Sequence, residues 1–352
     1  MARSGTSLTA RALNLLGVYL GPEEALLQPR QANPGGFWEH YRLMRLNERI
    51  LHTFGGNWRD PPLLPDGWEA SAELEDERRE AEQLLEDTFA GRTLWGWKDP
   101  RNSLTLPFWQ RLLPEMRYVV CVRNPIDVAA SIERRDGIPA ARAFELWLLY
   151  VASALAHTAA GDRIVIAYED WFEDWRGAAE RLGRFLSHSE ALDSPETTQR
   201  IAEAVQSELW HHRTAAADVL SEPRLPLEAR SLYLTTELLT RGVYLGSEEA
   251  VGEFAIGLCA GRRDGRRRPS PERRELERRL REVVRERDEI EARAKADQAV
   301  LLETLQRVRS STSWRLGHGA ARGLRWLTFR GGRPESALDR AIARLEAALD
   351  KR

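Results

Sequence analysis

Three short apolar runs, each ending in polar residues, constrain the fold of this chain more than any other feature. They are residues 93–97 (TLWGW), 117–122 (RYVVCV) and 163–168 (RIVIAY), and they run into KDPR, RNP and ED. Segments with helical patterning separate them. Alternating strand and helix is typical of an α/β fold with a doubly wound parallel sheet and helices on both faces. Ligands in such folds bind at the carboxyl ends of the strands, so we expect the three polar motifs to meet at one site.

Helices and loops are predicted around these runs from apolar periodicity and from clusters of Gly, Pro and Asn. The expected helices cover residues 8–20, 39–54, 69–90 and most of 177–258, and the expected loops cover residues 21–37 and 55–68. We therefore expect one α/β domain over residues 1–260.

The composition changes at residues 261–271 (GRRDGRRRPSP), a basic Pro/Gly segment that indicates a linker. Residues 272–309 are highly charged, contain no Gly or Pro, and carry apolar residues at a spacing of three and four. This pattern predicts a coiled coil, through which the chain would form a homo-oligomer, with a single solvated helix as the alternative.

The last segment, residues 310–352, reads as a basic amphipathic tail followed by a terminal helix. Residues 310–333 contain five arginines and no acids, interleaved with Trp, Leu and Phe. Such a stretch either lies on an anionic membrane surface or packs on a partner protein, and the sequence favours neither.

Composition limits the kinds of partner that the chain is expected to bind and the cellular compartment in which it is expected to occur. The 352-residue chain has a formal net charge of −2, so we expect no nucleic acid partner. Its two cysteines, Cys121 and Cys259, are too few for a disulfide framework and lack zinc-ligand spacing, which fits a reducing compartment. The sequence shows neither a signal-peptide pattern nor a long apolar run, so we expect a cytoplasmic protein, with membrane association through residues 310–333 left open.

Lysine is rare in this chain. Only Lys98, Lys295 and Lys351 stand among 52 basic residues, an arginine bias typical of a GC-rich bacterial genome. Lys98 also follows one of the predicted strands. A position that keeps lysine favours a compact, mobile ammonium over a planar guanidinium, so Lys98 is a candidate functional residue.

The N-terminal sequence R-S-G-T-S has the residue types of a phosphate-binding loop. Gly5 allows the backbone to wrap an anion closely, and Thr6 and Ser7 would begin a helix whose free N–H groups attract phosphate. Arg3 adds a bidentate donor. No lysine precedes the Thr-Ser pair, so this is not the Walker form, and an ordinary helix cap is the alternative.

Two further motifs follow predicted strands. In R-N-P-I-D-V-A-A-S, a strand–turn–helix path would direct Arg123 and Ser131 toward one phosphate. In W-K-D-P-R, Lys98 would reach an anionic group in the same cleft. An ordinary turn and a surface loop are the respective alternatives.

Taken in order over residues 2–186, these motifs resemble the family of sulfotransferases that use 3′-phosphoadenosine 5′-phosphosulfate (PAPS). The segment from Asn33 to His40 (NPGGFWEH), followed by Leu46 and Asn47, resembles a bacterial branch associated with surface glycans. The resemblance implies a P-loop-type doubly wound sheet. It also implies transfer of a sulfuryl group from PAPS to an acceptor hydroxyl, on a carbohydrate or glycolipid by family context.

The resemblance assigns roles to individual residues and requires no metal. Arg3, Ser4, Gly5, Thr6 and Ser7 would bind the 5′-phosphosulfate, Arg123 and Ser131 the 3′-phosphate, Lys98 the transferring group, and His211 and Arg213 would close over the nucleotide. Positive charge from arginine, lysine and backbone N–H groups would stabilise the transferring group.

The acceptor hydroxyl also needs a general base. Glu39 is the first candidate, although an acid at a helix N-terminus is the equal alternative. Glu24, with its neighbour Glu23, is the second candidate, and His40 is the third. Trp38, Trp58 and Trp68 are candidates for stacking on sugar rings, against the alternative that they belong to the core.

The chain departs from the family pattern at its beginning. The family places a strand directly before the loop, whereas only Met1 and Ala2 precede Arg3. We expect that strand to be encoded upstream of Met1, with a chain lacking its first strand as the alternative.

Two other functions remain open on the sequence alone: a P-loop kinase, and a catalytically weak scaffold of a glycan-synthesis complex. Binding of 3′,5′-adenosine diphosphate without magnesium would favour the sulfotransferase, and magnesium-dependent ATP binding would favour the kinase. Absence of nucleotide binding would favour the scaffold.

Overall fold

A computed structural model of the chain describes residues 1–28, 35–159, 161–205, 214–241 and 248–263. The predicted coiled coil, the basic tail and most of the linker lie outside these residues, as do His211 and Arg213.

Helices dominate the described ranges, with a small sheet between them. The α-helices are α1 (Thr6–Leu15), α2 (Tyr41–Thr53), α3 (Glu75–Phe89), α4 (Asn102–Leu112), α5 (Pro125–Asp136), α6 (Ala140–Ala156), α7 (Asp170–Glu173), α8 (Trp175–Leu186), α9 (Pro195–Ala204), α10 (Ala216–Ser221), α11 (Leu227–Thr240) and α12 (Glu248–Arg263). The strands are β1 (Tyr118–Val122) and β2 (Arg163–Ala167). The last helix thus extends three residues into the predicted linker.

The strands β1 and β2 pair in parallel, with Tyr118 opposite Arg163 and Val122 opposite Ala167. The runs predicted at 117–122 and 163–168 are therefore confirmed as parallel strands, and the α/β class holds in this coarser form. Because the strands are parallel, the residues that follow them, Arg123 and Tyr168, lie at the same edge of the sheet.

The third run, residues 93–97, is not a strand. Trp95 forms one isolated parallel bridge with Tyr19, through hydrogen bonds from the Tyr19 N–H to the Leu94 carbonyl and from the Gly96 N–H to the Tyr19 carbonyl, both 3.0 Å. Within the described ranges the sheet has two strands, so the predicted doubly wound sheet is not seen there.

Residues of both segments, 93–97 and β1, line a cavity of about 840 Å³. Residues 93–98 line one wall, residues 118–121 line another, and Thr6 and Thr9 of α1 also contribute. Tyr118 and Val122 direct backbone groups to β2, so the alternation of a parallel ladder directs those of Val119 and Cys121 away from it. The two extended segments both line this cavity, and no ladder joins them in the described part of the chain.

Two apolar clusters hold the helices around this sheet. One joins α2, α3 and α4 and includes Leu46, Leu84 and Trp109. The other joins α1, α7, α8 and β2. Trp68 is 6 % exposed within the first cluster, so its predicted availability for sugar stacking is wrong and the core alternative holds.

None of the described helices is both long enough and apolar enough to span a bilayer alone. The helices α5 and α6 meet these two criteria only as a pair bent by 118°.

Candidate active site

The phosphate-binding loop, residues 3–7, has the backbone that its sequence predicts. Gly5 immediately precedes α1 with φ of 80°, and Arg3 also has a positive φ of 67°. A Cβ atom at Gly5 would lie 2.4 Å from Cδ2 of Tyr168. Both the positive φ and the close packing on Tyr168 therefore require glycine at this position.

The same loop offers unfilled hydrogen-bonding capacity. The first N–H groups of α1 have no intrahelical partner, and its first turn contains no acidic residue. Ser4 is fully buried, and its hydroxyl has no hydrogen-bond partner among the described residues. A buried polar atom without a partner is costly, so the loop fits an anionic ligand such as the phosphosulfate.

Arg3, Arg123 and Ser131 come together at one end of the loop, which we name the phosphate end. The Arg3 Nε donates to the Ser131 hydroxyl at 2.8 Å, and the Arg123 guanidinium donates to the Arg3 carbonyl at 3.4 Å. Arg123 also lies over the Tyr168 ring, 4.2 Å from its centroid. Its Nε is buried without a partner in the described structure, which leaves a donor for an anion.

The turn after β1 fixes this end of the site. The Asn124 side chain accepts from the Ile126 N–H at 2.9 Å and so caps α5. Asn124 also donates to the Thr214 carbonyl at 3.0 Å, and the Thr214 hydroxyl donates to Asp127 at 2.5 Å. The residue that follows Arg213 is thus anchored beside the phosphate end.

Glu169 is a buried acid next to this end, and the sequence assigned it no role. Its Oε1 accepts from the Asn124 N–H at 3.2 Å, and its Oε2 is sealed from solvent without a partner among the described residues. The pKa of Glu169 is raised to about 7, mainly by burial and to a smaller extent by Glu237, whereas backbone hydrogen bonds, including that from Asn124, and the charge of Arg123 oppose the rise. The only sequence signal for Glu169 was its position in the E-D pair that follows the predicted strand. Tyr168, the last residue of that predicted strand, was likewise assigned no role.

Lys98, Glu39 and Ser7 meet at the other end of the loop, which we name the transfer end. The Lys98 Nζ lies 2.6 Å from Oε1 of Glu39 and donates to the Ser7 hydroxyl at 3.3 Å. The Lys98 and Glu39 side chains are only 12 % and 11 % exposed. Burial raises the pKa of Glu39, whereas Lys98 lowers it. The pair therefore holds a desolvated carboxylate against a desolvated ammonium.

The other two base candidates lie elsewhere. Glu24 is exposed on a 3₁₀ turn, Glu23–Ala25, and no contact in the described structure joins it to Lys98. The His40 ring packs against Gly21, where a Cβ atom would lie 2.8 Å from its Cδ2. Burial lowers the pKa of His40. Of the three candidates, only Glu39 contacts the predicted lysine.

Metal ligands do not cluster in this region. Residues 1–28, 35–159, 161–205, 214–241 and 248–263 contain no group of three His, Cys, Asp or Glu side chains that could hold an ion. The metal-free site expected from the sequence stays a prediction.

The loop and the cations at its two ends lie at the carboxyl edge of the parallel sheet, an arrangement that fits an anionic ligand. The model of the sulfotransferase family matches residues 1–191, more than half of the chain, and the chain belongs to that family. No curated protein and no solved structure matches it. Family members generally use PAPS as the sulfate donor.

Proposed function

We propose that this protein transfers the sulfuryl group of PAPS to an acceptor hydroxyl. The observation that carries the proposal is the contact of Lys98 with both Glu39 and Ser7. It joins a cation, a carboxylate and the phosphate-binding loop in one buried cluster. Sulfuryl transfer resembles phosphoryl transfer, in which the protein positions both reactants and stabilises spreading negative charge.

The two ends of the loop divide this work. The phosphate end would bind the 3′-phosphate through Arg123, Ser131 and Arg3, and the loop N–H groups would hold the 5′-phosphosulfate. Lys98 would neutralise the charge that develops on the leaving oxygen. Glu39 would accept the proton of the acceptor hydroxyl. PAPS would supply the electrophilic sulfur, and these side chains would bind its phosphates, neutralise the leaving oxygen and accept the proton.

The acceptor class is proposed from family context. A hydroxyl of a bacterial carbohydrate or glycolipid fits the resemblance, with the enzyme in the cytoplasm. The coiled coil at 272–309 would join copies of the chain, and residues 310–333 would contact an anionic membrane or a partner.

Titration calorimetry with 3′,5′-adenosine diphosphate, with and without magnesium, tests the donor site. We expect magnesium-independent binding near the micromolar range, equivalent to about 8 kcal/mol. A screen of glycans and glycolipids with radiolabelled PAPS then identifies the acceptor. Nucleotide binding without sulfation would favour a weak or inactive member of the family, and absence of both would contradict the proposal.

We also propose the complete doubly wound sheet for this fold, with a strand ahead of the loop filling the cavity. The support is the cavity itself, because residues 93–98 and residues 118–121 both line it. An extension of about five Val and Ile residues before Met1 would match the length of β1. We expect the extension to raise the melting temperature and to protect Cys121, which lines the cavity, from alkylation.

A proline-rich extension of equal length is the matched control, because proline cannot complete a ladder. Equal effects of the two extensions, or no protection of Cys121, would contradict the strand proposal.

A further inference from the structure

Asn47 uses every hydrogen-bonding group of its amide. It is fully buried on α2, and its Nδ2 donates to Asp99 Oδ2 at 2.9 Å and to Asn102 Oδ1 at 2.8 Å. Its Oδ1 accepts from the Thr105 hydroxyl at 2.7 Å and from the Trp109 indole N–H at 2.9 Å. An amide can make four such bonds, so Asn47 is saturated and joins α2 to the start of α4.

Asp99, the neighbour of Lys98 in sequence, is the centre of this network. Its side chain is 1 % exposed. The Oδ1 atom accepts from the backbone N–H and the guanidinium of Arg101, at 2.9 and 2.8 Å. Arg101 then donates to Glu48 at 3.0 Å. Two consecutive residues of α2, Asn47 and Glu48, therefore hold the turn that begins immediately after Lys98.

This anchoring matters because the sheet does not position Lys98. In the described structure, the backbone of the segment that precedes it forms one isolated bridge at Trp95 rather than a ladder. Glu39 lies just before α2, two residues from its first turn. The helix that follows Glu39 is thus hydrogen-bonded to the turn that follows Lys98.

We propose that Asn47 and Asp99 are positioning residues that set the geometry of the Lys98–Glu39 pair. The proposal rests on the function assigned above to that pair. A network that only stabilised the core would leave the positions of Lys98 and Glu39 unchanged when it is weakened. A network that positions the pair would displace both side chains, and a misplacement of about 1 Å can lower the rate about 100-fold.

The charge of Asp99 also acts directly on Glu39, so the two interpretations are separated by a variant that weakens the network without changing a charge. Lys98, Asp99 and Arg101 are the charged groups that act on Glu39. Asp99 raises the pKa of Glu39, whereas Lys98 and Arg101 lower it, and burial contributes the largest part of the shift. Replacing Asp99 by its amide keeps the shape but removes that charge.

The test is carbon-13 NMR titration of the Glu39 carboxyl in the full chain without nucleotide, assigned with Glu39→Gln. We expect Asp99→Asn to lower the pKa of Glu39 and to move the acid limb of the kcat–pH profile to lower pH. Thr105→Val keeps the side-chain volume and removes one bond to Asn47, so it is a milder second variant. Both variants should lower kcat, by up to about 100-fold, and leave the affinity for 3′,5′-adenosine diphosphate unchanged.

Asp174→Asn is the matched control, because Asp174 caps α8 by accepting from the Gly177 N–H, and it is exposed. It should leave the Glu39 titration and kcat unchanged. An unaltered Glu39 titration and an unaltered kcat in Thr105→Val, which removes a bond of the network but no charge, would overturn the bracing proposal even if Asp99→Asn shifts Glu39 through its lost charge. Absence of sulfation by the unaltered chain would instead count against the proposed function, and the titration would still decide whether the network acts on Glu39.

Discussion

The two ends of the phosphate-binding loop hold their cations in opposite ways. At the transfer end, Lys98 lies 2.6 Å from the carboxylate of Glu39. At the phosphate end, the ion-pair partner of Arg123 is Asp127 at 3.8 Å, and the guanidinium stacks on Tyr168 with one donor unsatisfied. The first arrangement is a charge-matched pair suited to moving a proton, and the second has positive charge available for an anion.

The electrostatics of Arg3 support this contrast. Burial lowers the pKa of Arg3, and the neighbouring guanidinium groups of Arg135 and Arg123 lower it further. Like charges held together in a buried site disfavour the charged forms until an anion arrives. Binding of an anionic donor would therefore stabilise the phosphate end, whereas the charges of Lys98 and Glu39 at the transfer end already balance each other.

The largest expected effect is at the transfer end. Lys98→Ala should lower kcat by about 10²–10³-fold, the usual cost of losing a group that stabilises the transition state. The affinity for 3′,5′-adenosine diphosphate should change little, because the nucleotide lacks the transferring group. Steady-state kinetics and titration calorimetry measure the two quantities.

Lys98→Arg keeps the charge but replaces the compact ammonium with a planar fork, so it should also lose turnover. Small and equal losses of kcat and nucleotide affinity in Lys98→Ala would break the distinction between the two ends.

The sequence predicted the cations at both ends of the loop but not the partners that adjust them. Arg3, Lys98, Arg123 and Ser131 lie in short local motifs, and the order of those motifs carries the family resemblance. The partners that adjust them were not predictable in this way. Tyr168 and Glu169 lie more than 40 residues after Arg123, and Asn47 reaches Asp99 only through tertiary packing. Local patterns cannot encode such contacts, nor the single bridge at Trp95 that stands where a ladder was expected.

The second-largest effect is expected for Glu169, the buried acid at the phosphate end. Burial raises the pKa of Glu169 from 4.5 to about 7, so its protonated form stabilises the fold below pH 4.5 and this contribution is lost as the pH rises through about 7. Glu169→Gln removes the titration. Between about pH 4.5 and 8, the free energy of unfolding of the variant should gain about 3 kcal/mol relative to the unaltered chain.

Denaturant unfolding at the two pH values measures this difference. Glu173→Gln is the control, because Glu173 is an exposed acid on α7 and should show no such gain. If the difference in the free energy of unfolding between Glu169→Gln and the unaltered chain did not change with pH, Glu169 would be ionised over this whole range. Its negative charge would then offset the positive charge of the phosphate end.

The smallest of the three effects concerns affinity at the phosphate end. Arg123→Ala should weaken the binding of 3′,5′-adenosine diphosphate by about 10- to 100-fold, because a hydrogen bond to a charged group contributes about 1.5–3 kcal/mol. Arg117→Ala is the matched control at the opposite end of β1, where the guanidinium donates to the Phe185 carbonyl. With adenosine 5′-phosphosulfate, which lacks the 3′-phosphate, Arg123→Ala should bind as the unaltered chain does. An equal loss for both nucleotides would mean that Arg123 supports the loop rather than the 3′-phosphate, and the two ends would then differ in geometry but not in task.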